Sequence, residues 1–116
     1  MTTMNNGRPV TVYGKNTDNW LITDLGNEEK DAVIDWIRTR LAPVKTAVHP
    51  RGSYGLKHDM TRETGIYVSN NQFKDAMLMA GYEPVNPNDD YWRFRISRRS
   101  PCFKSPLPRA EIRRPR

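Results

Sequence analysis

All three Trp, all five Tyr and two of the three Phe lie before Arg98, so only about the first 97 residues can close a core, and a modest one. The nineteen residues that follow carry four Pro and few apolar side chains, a composition that cannot bury enough surface to order itself. Charge divides at the same point. Up to Ser97 twelve Lys and Arg balance twelve Asp and Glu; beyond it Arg98, Arg99, Lys104, Arg109, Arg113, Arg114 and Arg116 face Glu111 alone and account for the net charge of +6. The expected organisation is therefore a disordered start over residues 1–9, one domain over 10–97, and a disordered basic tail over 98–116. A neutral body with a cationic extension suggests a polyanionic partner, nucleic acid first.

Several classes of function are disfavoured by what the chain lacks. No apolar run approaches the roughly 20 residues that cross a bilayer, so no membrane partner is expected. Residues 1–9 are polar and carry neither an apolar signal core nor an Arg-rich leader. The one cysteine, Cys102, excludes an intrachain disulfide and a multi-thiolate metal site, and suits a reducing, cytoplasmic compartment. Arg98 and Arg99 could lower its pKa, yet no fixed base accompanies it. His58 and Glu63 are five residues apart and point to different helix faces, which gives neither a zinc pair nor an acid–base dyad. There is no Gly-rich phosphate loop or nucleophile elbow. A non-enzymatic protein without metal or cofactor is expected.

Local patterns supply the elements. Val10 to Tyr13 has strand composition and Gly14-Lys15-Asn16 that of a turn, whereas Trp20-Leu21-Ile22 reads equally as a strand or a helix approach. A first helix begins at Asn27 as N-cap, buries Val33, Trp36, Ile37 and Leu41 on one face, and stops before Pro43. A second opens at Ser53 and ends near Gly65; Gly55 inside it suggests close approach by another backbone. The third has a capping box, Ser69 to Gln72, a hydrophobic staple of Val68 with Phe73, and Gly81 beyond its end. Trp92, Phe94 and Ile96 then alternate with Tyr91, Arg93, Arg95 and Ser97. That pattern predicts a half-buried strand, antiparallel to residues 83–85 or 66–68.

Helix, connection, capped helix, loop and amphipathic strand is the order of a helix-turn-helix with a wing. The predicted fold is thus α+β: three helices and a small antiparallel sheet, winged-helix-like, with a disordered basic tail. In that architecture the start of the third helix enters a major groove. Asn70, Asn71, Gln72 and Lys74 would be its reading side chains, since amides bond adenine edges and Lys reaches guanine or phosphate. Capping alone also explains Ser69 and Gln72. Arg93, Arg95, Arg98 and Arg99 form a basic stripe suited to phosphates, extended by Lys104, Arg109, Arg113, Arg114 and Arg116.

The stretches Ser53-Tyr-Gly-Leu-Lys-His58, Gly65-Ile-Tyr-Val-Ser-Asn70, Phe73-Lys-Asp-Ala-Met77 and Ala80-Gly-Tyr82 resemble small accessory proteins of bacteriophages and integrative elements of Gram-positive bacteria. The resemblance spans the middle third of the chain and carries no catalytic residues. It implies a mobile-element origin and a bacterial host cell. Such proteins include nucleic-acid binders and small inhibitors of host machinery, anti-CRISPR proteins among them. Two readings follow: a DNA or RNA binder, or an inhibitor of a host defence nuclease acting through protein, guide-RNA or DNA-channel contacts. A component of a ribonucleoprotein particle is a third.

Overall fold

Asn6 and Gly7 both take positive φ angles, 53° and 76°. Such a pair makes a two-residue loop whose twist matches that of flanking strands, and it starts a hairpin where disorder was expected. In the computed structural model, which describes residues 1–111, Thr2–Asn5 (β1) pairs antiparallel with Arg8–Tyr13 (β2), with Thr2 opposite Thr11 and Asn5 opposite Arg8. A second two-residue turn at Gly14-Lys15 brings Asn16–Asp18 (β3) back along β2, giving the order β1-β2-β3. The inward face of this sheet is largely polar, with Thr2 and Thr11 fully buried, so it leaves little hydrophobic trace in the sequence. Trp20-Leu21-Ile22 is not a strand; Ile22 opens a single 3-10 turn, Ile22–Asp24.

Three helices follow. The first, α1, is Asn27–Arg40, with Gly26 rather than Asn27 at its cap and with Val33, Trp36 and Ile37 buried. The second, α2, is Ser53–Thr64 and ends on left-handed Gly65. A Cβ at Gly55 would stand 2.8 Å from Arg51 Cγ, so the neighbour that demands glycine is a side chain and not a backbone. The third, α3, is Asn70–Met79, and both bonds of its capping box form: the Gln72 amide donates to Ser69 Oγ (3.1 Å) and the Ser69 amide to Gln72 Oε1 (2.8 Å). Val68 and Phe73 are both buried, as a staple requires. The helices pack pairwise around Leu56, Met60, Phe73 and Met77. None of the described helices is long and apolar enough to cross a membrane.

Residues 91–97 alternate as expected, with Trp92, Phe94 and Ile96 in the core and Tyr91, Arg93 and Arg95 outside. They bond mainly to the connection between α1 and α2 and not to residues 66–68. Amides of Val44, His49 and Ser53 donate to the carbonyls of Arg95, Phe94 and Trp92 (3.2, 3.0 and 2.7 Å), and Val85 donates to Arg93 O (2.9 Å). Only Pro43 and Ile96 make a formal bridge among the described residues. The three-stranded sheet precedes the helices and packs on α3, instead of following it as a wing.

The basic stretch, expected to be loose from residue 98, is tied down as far as Ala110. Ser100 is buried, its hydroxyl accepting from the Ala42 amide (2.9 Å) and donating to Ser97 O (2.7 Å). Pro101–Lys104 (α4) is one helical turn that puts Cys102 into the core. Burial, then the nearby Asp59 and Glu63 carboxylates, push the Cys102 thiol up to about 12, outweighing Arg40 and Arg51; it is a poor nucleophile. Further on, Arg40 Nη2 donates to Ser105 O (2.6 Å), the Leu107 amide to Glu63 Oε2 (3.1 Å) and the Ala110 amide to Arg62 O (2.7 Å). Arg113, Arg114 and Arg116 lie outside the described residues.

Candidate nucleic-acid interface

The start of α3 does not face solvent. Asn71 and Lys74 have no exposed surface, and Asn70 and Gln72 are also buried, because the N-terminal sheet covers this half of the helix. Each of the four is engaged within the fold. Asn71 Nδ2 donates to Pro9 O and Trp20 O (both 2.8 Å), while its Oδ1 accepts from Thr11 Oγ1 (2.8 Å). Asn70 accepts from Ser53 Oγ (2.8 Å) and donates to Asp90 O (2.8 Å) and the Tyr13 hydroxyl. Gln72 closes the capping box and donates to Leu21 O (3.3 Å). Asp75 on the same helix accepts from Arg8 Nε and the Ile22 amide (both 3.0 Å). A groove-reading role needs free amide edges, and here those edges hold the sheet to the helix. The expectation that Asn70, Asn71, Gln72 and Lys74 read bases is corrected on that ground.

Lys74 is the most demanding of the set. Its ammonium donates to Thr2 Oγ1 (2.7 Å), Thr11 Oγ1 (2.8 Å) and Asp89 O (3.4 Å) and sits 5.2 Å from the centre of the Trp92 ring. Burial lowers its pKa to about 8, against smaller raising effects of Asp90, Asp18 and Asp89. Below pH 8 the lysine is protonated both folded and unfolded, and the fold carries the full cost of the buried charge. Between pH 8 and 10.5 the folded state has lost a proton that the unfolded chain keeps, so stability rises with pH. Lys74→Met leaves the Thr2 hydroxyl bonded to Asp89 O and the Thr11 hydroxyl to Asn71. Denaturant unfolding of the two proteins from pH 7 to 10.5 should therefore shift their stability difference toward wild type by up to about 3 kcal/mol. A difference that stays flat with pH contradicts the buried ammonium.

The cations sort into two groups. Four of the five arginines before residue 93 are ion-paired, among them Arg8 with Asp75, Arg40 with Glu63, and Arg51 with Asp59, the last through two bonds of 2.6 and 2.8 Å. From residue 93 onward the pattern changes. Arg93, Arg95, Arg98, Arg99, Lys104 and Arg109 are all exposed, and none has a carboxylate within ion-pair distance among the described residues. The alternation over residues 91–97 places Tyr91, Arg93 and Arg95 in one outward row. Arg98 lies close enough to His49 to help burial lower the imidazole pKa, and His49 stacks on Phe103 with ring centres 4.5 Å apart. The α4 turn is thus packed beside the connection that carries His49, next to Arg98.

Aromatic side chains border this face. Tyr54 of α2 and Tyr91 meet edge to face with ring centres 5.5 Å apart and remain 53% and 50% exposed. They form a ridge between two clefts. The larger, about 690 Å³, is lined by Arg51, Arg93, Asp89 and Asp90 among others. The smaller, about 270 Å³, is lined by Tyr13, Asp18, Lys57, Tyr67 and Asn70. From the sequence Tyr54 and Tyr91 are placed on the second helix and the alternating segment without a role, and Tyr67 has none either; the available signal is Tyr91-x-Arg93-x-Arg95, an aromatic and two cations on the polar side of an alternating segment. Comparison with protein-family models, curated proteins and solved structures finds no match.

Proposed function

We propose that this protein is a non-enzymatic nucleic-acid binder that engages phosphates through the face carrying Arg93, Arg95, Arg98, Arg99, Lys104 and Arg109. The supporting observation is that these six exposed cations have no carboxylate partner among the described residues, whereas most arginines before residue 93 are neutralised within the fold. An unpaired cation keeps its full attraction for phosphate, and each contact releases a counterion. The docked segment holds these charges in place, so less ordering entropy is lost on binding than a loose tail would lose. The start of α3 has no part in this reading. We assign the protein to the accessory repertoire of a bacteriophage or mobile element on the resemblance of its middle third. The test is binding of the full chain to duplex DNA, single-stranded DNA and RNA as salt is varied, with Arg93, Arg95, Arg98 and Arg99 replaced together by Ala. Wild type should bind with a steep salt dependence, and the variant should lose most of its affinity while keeping its thermal unfolding transition. Unchanged binding by a folded variant would refute the proposal.

A further inference from the structure

The smaller cleft holds an unusual lysine. Lys57 is 5% exposed, and its ammonium lies against aromatic rings and makes no hydrogen bond among the described residues. The Nζ atom sits 4.9 Å from the centre of the Tyr67 ring and 5.9 Å from that of Tyr54. Ring faces compensate a partly desolvated ammonium only in part, so an oxygen acceptor brought by a ligand would bind it favourably. Asp18, the nearest source of opposite charge, is already committed: its carboxylate accepts from Ser69 Oγ and from the amides of Asn71 (both 3.0 Å) and Trp20 (3.3 Å). Burial accordingly lowers the Lys57 pKa, with Asp18 opposing it weakly. Among the described residues the Lys57 ammonium makes no hydrogen bond, and the tyrosines beside it present ring surface to a planar group.

Resting on the proposed nucleic-acid reading, we infer that the ridge of Tyr54 and Tyr91, with Tyr67 and Lys57 beside it, stacks an unpaired base of a single-stranded nucleic acid. A carbonyl or phosphate oxygen of that nucleotide supplies the acceptor Lys57 lacks. The backbone then runs along the outward row onto Arg93 and Arg95, with the phosphates kept clear of Asp89 and Asp90 in the larger cleft. Bases inside a duplex are stacked on one another and present no face to a tyrosine, so the inference selects single strands. Base–aromatic stacking tolerates any sequence, because every base has a π-face.

The experiment compares a short oligouridylate and oligothymidylate with a duplex of matching length, by fluorescence anisotropy at fixed salt. The proteins are the full chain, Tyr54→Ala, Tyr91→Ala, the two corresponding Phe variants and the four-arginine variant. Tyr54 and Tyr91 are half exposed, so their truncation leaves the core intact. Each Ala substitution should weaken single-strand binding roughly 5- to 150-fold, the range that loss of one stacked base gives, with Phe restoring it and duplex affinity unchanged. If the Ala variants bind single strands as wild type does while the four-arginine variant fails, the stacking site is overturned and the basic face stands. If wild type binds neither strand nor duplex, both fall together.

Discussion

Replacing Glu63 with Ala is expected to cost about 3–5 kcal/mol of unfolding free energy, the range seen when one member of a buried ion pair is removed. The Glu63 side chain has no exposed surface and ties three segments together. It accepts from Trp36 Nε1 (3.0 Å) and Arg40 Nε (2.9 Å) of α1, and from the Leu107 amide (3.1 Å) of the C-terminal stretch, while riding on α2 itself. Burial alone would raise its pKa, but the bonds from Arg40, Trp36 and Leu107 together outweigh it and leave the pKa lowered. Its contribution is therefore complete at neutral pH and is lost as pH falls through its folded value. Denaturant titrations of wild type and Glu63→Ala should show the largest gap near neutrality and a narrowing gap in acid. Glu63→Gln, which keeps one acceptor oxygen but no charge, should fall between them. A loss below about 1 kcal/mol for the Ala variant contradicts this account of the buried pair.

Truncation after Ser97 should be nearly as damaging. Composition presents the last nineteen residues as a removable arm, yet they include buried Ser100 and Cys102, the Phe103 ring stacked on His49, and three backbone groups bonded to Arg40, Glu63 and Arg62. Losing them removes about 3–5 kcal/mol from side-chain burial and hydrogen bonds. For a domain of this size that lowers the melting temperature by more than about 10 °C, measurable by circular dichroism. A truncated chain that melts within a degree or two of wild type would contradict the docking of this stretch. Binding lost on truncation would then report unfolding as much as missing charge, so point substitution of exposed arginines isolates the charge.

What was legible in the sequence was what local geometry determines. Ser69, Gln72, Val68 and Phe73 act within one turn of α3, and their capping and staple contacts form as read. The alternation of residues 91–97 was equally plain, although its backbone partners were not, since the connection beside it carries no strand pattern. The polar start of α3 was misread because its burial is non-local: Asn71 and Lys74 are covered by Thr2, Pro9 and Thr11, about sixty or more residues away in sequence. One available signal, Asn6-Gly7, would have turned the expected disorder of residues 1–9 into a hairpin. The C-terminal stretch was misjudged for a related reason. Its ordering rests on backbone hydrogen bonds and one small buried thiol, which composition does not register.

The most direct test of the central claim is the slope of log affinity against log salt for duplex DNA, measured for the full chain and for the Arg93, Arg95, Arg98 and Arg99 to Ala variant. Six phosphate contacts give a slope near −5, and removing four should reduce it by roughly 3 to 4. The same shallow slope in both proteins, with both folded, would show that these cations do not meet phosphates.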